Sequence, residues 1–261
     1  MADHPTPATR PLEPRQCALI IGASSGIGAA LTELLAGNGY LVAAVARREA
    51  LLAELCERIN ARNESGGQAF YYSHNVTDYD DIPALLQHIA ADLGGLDLVI
   101  YAAAVQPAFA PDEYDFEKDK AMARVNLIGA MAWLDQVAVR FQRAGAGHIV
   151  GISSLAAVRG RRMNPGYNAT KAGFDTFLEA LRNRLTQHGV TVTTVRPGLV
   201  DTRLLENASR ALWVVSPAKA ARQIYKAIKN RKQVVYVPGR WRLVALIVTH
   251  TPSFIFRRLN F

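Results

Sequence analysis

Tyr167 and Lys171 stand four residues apart in Pro165-Gly-Tyr-Asn-Ala-Thr-Lys171. On a helix that spacing projects both side chains from one face, about one turn apart. A phenol with a pKa near 10 exchanges protons poorly at neutral pH. An adjacent lysine ammonium favours the phenolate, and bringing the phenol into the neutral range corresponds to about 4 kcal/mol. In isolation such a pair is no more than a surface tyrosine beside a solvated lysine. Ser154 changes its weight. It ends the run Gly151-Ile-Ser-Ser154, thirteen residues before Tyr167, which puts a hydroxyl at the C-terminal end of a strand. Open α/β sheets bind their ligands there.

A second group of residues points to binding. The apolar run Cys17–Ile21 leads into Gly22-Ala-Ser24-Ser25-Gly26-Ile27-Gly28, where a helical pattern begins. Glycines let the backbone turn tightly and approach a pyrophosphate, and the helix N-terminus offers free N–H groups and a positive dipole end to phosphate. The spacing is G-x-x-x-G-x-G rather than the commoner G-x-G-x-x-G, but its place between strand and helix makes a nucleotide site the expectation. Many NAD sites carry an acidic residue about 20 positions further on. Here the second strand ends Val45-Ala46-Arg47-Arg48, with no carboxylate before Glu49. Guanidinium groups suit the oxygens and charge of a 2′-phosphate. NADP(H) is therefore the expected cofactor, with NAD(H) as the alternative.

The elements that must position these residues are legible as alternating runs. Cys17–Ile21, Leu41–Ala46, Gln68–Ser73, Leu96–Ala102, His148–Ile152, Val190–Val195 and Gln233–Val237 have strand length and are mainly apolar, as in strands covered on both faces. Helical stripes lie between them: Ile27, Leu31, Leu34 and Leu35; Leu51, Leu52, Leu55 and Ile59; Leu85, Leu86, Ile89 and Leu93. Ser216-Pro217 reads as an N-cap followed by proline at the first helical position. Strand–helix alternation predicts an α/β chain with a doubly wound, seven-stranded parallel sheet and helices on both faces. Residues 16–239 show no internal break, so one domain is expected there.

Composition narrows the remaining classes. The chain has 261 residues, half of them hydrophobic, with 30 Lys+Arg against 22 Asp+Glu and a formal net charge of +8. Two cysteines, Cys17 and Cys56, exclude a disulfide framework and a cysteine-rich zinc module. The six histidines lack metal-ligand spacing. Residues 1–15 contain four prolines and no apolar core, so they read as a flexible tail rather than a secretory signal. No apolar run reaches the length of a membrane-spanning helix. A cytoplasmic setting is the resulting expectation. The dispersed arginines, without an aromatic-basic platform, argue against nucleic acid.

Taken in order, these motifs resemble the short-chain dehydrogenase/reductase family, over about Gln16 to Gly239. Gly22, Gly26 and Gly28 match TGxxxGxG, with Ile21 replacing the threonine, and Tyr167 and Lys171 match YxxxK. Ser154 matches the active-site serine. Asn126, in Val125-Asn-Leu-Ile-Gly129, matches the helix asparagine of the catalytic tetrad, and Pro197-Gly198-Leu-Val200-Asp-Thr202 matches PGxxxT. Asn75-Val76 stands where Asp-Val usually contacts adenine, and Tyr101-Ala102-Ala103-Ala104 replaces NNAG. The resemblance implies a Rossmann-type fold and hydride transfer between nicotinamide C4 and a carbonyl carbon. It further implies that Tyr167 exchanges the proton, Ser154 holds the oxygen, and Lys171 lowers the tyrosine pKa and binds the nicotinamide ribose. By the same likeness Asn126 holds a water leading from the lysine to solvent, and Thr202 bonds the carboxamide. The resemblance also implies a homodimer or homotetramer.

Between Thr202 and Ser216 the family places a mobile lid, where Leu204, Leu205, Leu212, Trp213 and Val214 are expected to line an apolar pocket for a hydrophobic alcohol or ketone. Arg159, Arg161 and Arg162, in the loop between Ser154 and Tyr167, read as a solvated loop, with attraction of an anionic substrate such as an acyl carrier as the alternative. The end of the chain, 240–261, mixes apolar runs with Arg240, Arg242, Arg257 and Arg258, and reads either as a subunit contact or as a peripheral membrane segment. The rival to an enzyme is a cofactor-sensing protein on the same fold, supported by the departures at Ile21 and Tyr101–Ala104 and opposed by the complete tetrad.

Overall fold

Strand β1 (Cys17–Ile21) shows how the sheet is built. Successive side chains of a strand point to opposite faces, and both faces of β1 are buried. Ala18 and Ile20 join the core layer that holds Leu31, Leu35, Leu52 and Ile224. Leu19 and Ile21 join the opposite layer with Ile89, Trp133 and Phe174. The computed structural model describes residues 16–62, 66–110, 112–202 and 213–259.

Seven strands pair in the order β3-β2-β1-β4-β5-β6-β7, every pair parallel. After β1 they are β2 (Leu41–Ala46), β3 (Gln68–Ser73), β4 (Leu98–Tyr101), β5 (Gly147–Ile152), β6 (Val190–Pro197) and β7 (Val234–Val237). The helices are α1 (Gly26–Ala36), α2 (Glu49–Ala61), α3 (Ile82–Asp92), α4 (Phe116–Met122), α5 (Gly129–Ala144), α6 (Pro165–Leu185), α7 (Pro217–Lys229), α8 (Trp241–His250) and α9 (Ser253–Phe256). The chain order reverses where β1 lies beside β4, in register Ile21 to Tyr101. Crevices at such reversals are where doubly wound sheets hold ligands.

The first three strands have the expected limits. β4 is shorter than the run Leu96–Ala102, because Asp97 is used at the sheet edge. Its carboxylate accepts the Cys17 N–H at 2.7 Å, and its own N–H donates to Cys17 O at 2.9 Å. β6 runs two residues further, to Pro197. In α2 the buried stripe is Leu52, Leu55, Cys56 and Ile59, while Leu51 sits on the wet side of the helix. Ser216 caps α7 as expected, accepting from the Lys219 N–H at 3.3 Å.

Candidate active site

The C-terminal ends of β1, β4, β5 and β6 open into one cavity of about 1080 Å³. Its first wall is the glycine turn. Gly22 has φ +94°, and a Cβ there would lie 2.4 Å from Ala103 N; one on Gly28 would lie 2.2 Å from Gly22 O. Only glycine permits this approach of strand, turn and helix. A Cβ on Gly26 would lie 3.0 Å from Thr202 Cγ2, so the turn rests on Thr202 across the cleft. Helix α1 starts with Ser25 at the N-cap, where it makes no side-chain cap bond, and has no acidic residue in its first turn. The opening N–H groups and dipole of α1 are thus left to whatever occupies the cleft.

Arg48 closes the edge of this wall. It donates to Ser24 Oγ at 2.8 Å and to Ser25 Oγ at 2.8 Å. Arg47 lines the same cavity, is exposed, and has no carboxylate partner among the described residues. Val76 and Ala102 line the cavity too, as do Pro197, Gly198, Val200 and Thr202. Asn75 does not. Its amide turns into its own loop, 3.4 Å from Asp78 Oδ1, and the flanking His74 takes the place on the wall. His74 Nδ1 is buried without a hydrogen-bond partner. Nothing in the local pattern around His74 marks it.

The second wall brings together a hydroxyl, a phenol and an ammonium group. β5 delivers Ser154, which caps a short 3₁₀ turn (Leu155–Val158), its Oγ accepting from Ala156 N–H at 3.1 Å. The Ser154 hydroxyl and the Tyr167 phenol line the same cavity. Tyr167 and Lys171 share one face of α6, and both are buried. Lys171 Nζ lies 5.8 Å from the Tyr167 ring centroid and donates to Ile152 O at 3.1 Å. Burial pushes its pKa down to about 8, against the opposing pull of Asp175. Burial raises the Tyr167 phenol above its ordinary value, while the Ser154 hydroxyl and the Arg161 charge act the other way.

Arg161 therefore does not belong to a solvated loop. It lines the cavity, half-buried, and its charge acts on Tyr167. Nor does Arg159: it donates to Val248 O at 2.7 Å and to Thr251 O, and its guanidinium lies 4.0 Å from the centre of the Phe256 ring. Arg162 is exposed, 3.5 Å from the carboxylate of Asp112.

Asn126 lies behind the wall rather than on it. It sits in a π-helical segment (Ala123–Ile128) between α4 and α5, a distortion common at functional sites. Its Oδ1 accepts Val105 N–H at 2.8 Å, and its Nδ2 donates to Val105 O at 3.0 Å and to Thr170 Oγ1 at 3.3 Å. The amide thus ties the loop after β4 to α6 one residue from Lys171. The Tyr101–Ala104 segment is accommodated similarly. The Tyr101 hydroxyl donates to Val125 O at 2.7 Å, clamping the π segment, while Ala102 to Ala104 line the cavity.

Of the expected lid, Leu204, Leu205 and Leu212 lie outside the described residues. Trp213 and Val214 are exposed, and Trp213 stacks edge-on against Trp241 at 5.5 Å. Among the described residues, α8 adds Trp241, Val244 and Val248 to the apolar lining of the cavity. Trp241 covers Gly198 so closely that a Cβ there would lie 2.1 Å from the indole nitrogen.

A seven-stranded parallel sheet whose glycine turn shares one cavity with a serine, a tyrosine and a lysine has the architecture of a Rossmann-type oxidoreductase. The chain belongs to the short-chain dehydrogenase/reductase family: the sequence profile described as short chain dehydrogenase matches residues 16–213. It is 30% identical over 226 residues to a ketoacyl reductase of Nostoc sp., covering 84% of this chain and 77% of that protein. An oxidoreductase of Mycobacterium tuberculosis is 29% identical over 246 residues, 94% of this chain and 97% of the relative. Among solved structures, a short-chain type dehydrogenase/reductase from Mycobacterium ulcerans superposes with a TM-score of 0.79 at 25% identity, over 94% and 98% of the two chains. A variant of the actinorhodin polyketide ketoreductase with NADPH gives 0.77 at 25% identity, over 86% and 96%.

Proposed function

We propose that the protein is an NADP(H)-dependent oxidoreductase interconverting a carbonyl group and a secondary alcohol on an apolar substrate, with Tyr167 as the acid and base. The observation that carries this reading is the meeting of Ser154, Tyr167 and Lys171 with the glycine turn and Arg48 around one cavity. The residues fit the nucleotide. The uncapped start of α1 suits a pyrophosphate, Arg48 and Arg47 offer positive charge for a 2′-phosphate, and Thr202 faces the turn from β6. NADPH supplies the hydride when bound.

The chain's own groups handle the oxygen. Ser154 donates a hydrogen bond that holds it beside the phenol. Tyr167, a phenol whose proton burial holds more firmly still, gives it to that oxygen as the carbonyl is reduced. The ammonium of Lys171 and the guanidinium of Arg161 offset the negative charge left on the phenol. Asn126 holds the loop at Val105 against α6 and so keeps the wall in place. Two relatives support the chemistry by their names, a ketoacyl reductase and a polyketide ketoreductase with NADPH, and Trp241, Val244 and Val248 support an apolar substrate.

A spectrophotometric assay of NADPH and NADH oxidation across a panel of ketones and aldehydes tests the reading. Turnover of apolar carbonyls with a preference for NADPH is expected. Tight NADPH binding without turnover of any carbonyl would make the protein a sensor instead.

A further inference from the structure

Helix α8 has two working faces. One lines the cavity; on the other, Leu243, Leu246 and Ile247 are 66%, 58% and 67% exposed. These three follow the i, i+3, i+4 spacing of a single helical face. In α9, Phe254 and Ile255 are exposed as well. The two helices are held together by Arg159, which bonds the carbonyls of Val248 and Thr251 and the Ser253 hydroxyl and stacks on Phe256. An apolar surface of this kind on a folded chain marks a docking face.

The charge around it identifies the occupant. Arg240, Arg242, Arg257 and Arg258 are all exposed. Eleven of the 30 basic residues and none of the 22 acidic ones lie after Glu206, so the first 206 residues carry 19 basic against 22 acidic. The entire positive excess belongs to the last 55 residues. A second copy docking by the same face would set arginine against arginine with no carboxylate between them. A nucleic acid would leave the leucines without an apolar partner. A bilayer of anionic lipid satisfies both features, taking the apolar side chains below the headgroups and the arginines at their level. No helix among the described residues is long and apolar enough to cross it.

We propose that α8 and α9 dock the protein onto an anionic lipid surface, lying in the interface. Because the opposite side of α8 walls the cavity, the docked protein takes an apolar substrate from the lipid beside it. Arg159, in the loop between Ser154 and Tyr167, fixes the docking helices to the catalytic wall.

The test uses the full chain and sedimentation with vesicles, which requires no turnover and so stands apart from the catalytic reading. Vesicles of phosphatidylcholine and phosphatidylglycerol in equal parts should carry the protein down, phosphatidylcholine alone should not, and high salt should release it. Leu246→Glu with Ile247→Glu should abolish binding while leaving the circular dichroism spectrum and the molar mass in solution unchanged. Arg257→Ala with Arg258→Ala, which touches no core residue, should weaken binding about 25-fold, taking roughly fivefold for each arginine at an anionic surface. Absence of binding to the mixed vesicles overturns the proposal, as does full binding by both double variants. A native oligomer that dissociates in the Leu246→Glu, Ile247→Glu variant, without vesicle binding in the wild type, gives the face to a second copy.

Discussion

Replacing Lys171 with methionine removes the ammonium while keeping most of the side-chain volume in a buried site. The effect on proton transfer follows from the geometry. Lys171 Nζ lies 5.8 Å from the Tyr167 ring centroid. With the phenolate charge placed at the ring centre and an effective dielectric constant of about 20, a unit charge at that distance stabilises it by about 3 kcal/mol, or roughly 100-fold. The reduction kcat of Lys171→Met should therefore fall about 100-fold, a loss that weaker cofactor binding does not produce at saturation. The same charge sets the pH profile of the wild type. Burial lowers Lys171 to about 8 and raises Tyr167 above 10, so between these values the lysine loses its proton while the phenol keeps its own. The kcat/KM for reduction should be flat below about pH 8 and then fall, approaching tenfold per pH unit, until it meets the level of Lys171→Met, whose profile has no such limb. Stability moves the other way. A lysine whose pKa is depressed in the folded state contributes stability above its unfolded value of 10.5 that is lost as pH falls through about 8. Stopped-flow or steady-state measurements of NADPH oxidation give the profiles. A wild-type profile flat through pH 10, or a Lys171→Met kcat within fivefold of wild type, would refute the electrostatic role.

Two further outcomes follow from the cavity walls. Arg48→Ala removes the group held between Ser24 and Ser25, and loss of a charge-assisted contact of about 1.5–3 kcal/mol should raise the KM for NADPH by about 10- to 100-fold with the KM for NADH unchanged; equal losses with both cofactors would remove Arg48 from the phosphate site. Gly198→Ala puts a methyl group into the Trp241 indole and should lower stability in urea unfolding by about 1–3 kcal/mol, a loss largely removed when Trp241→Ala is combined with it; additive effects in that cycle would show that the two do not meet.

The strands were legible because covered parallel strands are continuous apolar runs, and β1 to β3 end where glycine, arginine or serine ends the run. The apolar run Leu96–Ala102 overreaches β4 because Leu96 and Asp97 look like strand in composition; only the pairing of Asp97 with Cys17 shows that they form the approach to it. Ser154, Tyr167 and Lys171 are marked by a strand end, a helical spacing and the ordered family motifs taken together, not by spacing alone. Arg159 and Arg161 have no such marks, since Arg159 acts across 89 and 92 residues of sequence on Val248 and Thr251, and a distance of that kind leaves no local pattern. The family motif marks Asn126, but its bonds to Val105 and Thr170 depend on a π-helical segment that no periodicity announces. The two faces of α8 were likewise hidden. The sequence shows an apolar helix with basic flanks, whereas Gly198 under Trp241 decides which side turns inward.

The proposed mechanism stands on proton exchange by Tyr167 in this cavity. The kcat of Tyr167→Phe for NADPH-dependent reduction of the best apolar ketone, with NADPH binding measured in parallel, tests it most directly. General acid catalysis supplies about 10²–10⁴ in rate, so the variant should bind NADPH as the wild type does and lose at least about 100-fold in kcat. Undiminished turnover by Tyr167→Phe would take the proton transfer away from Tyr167.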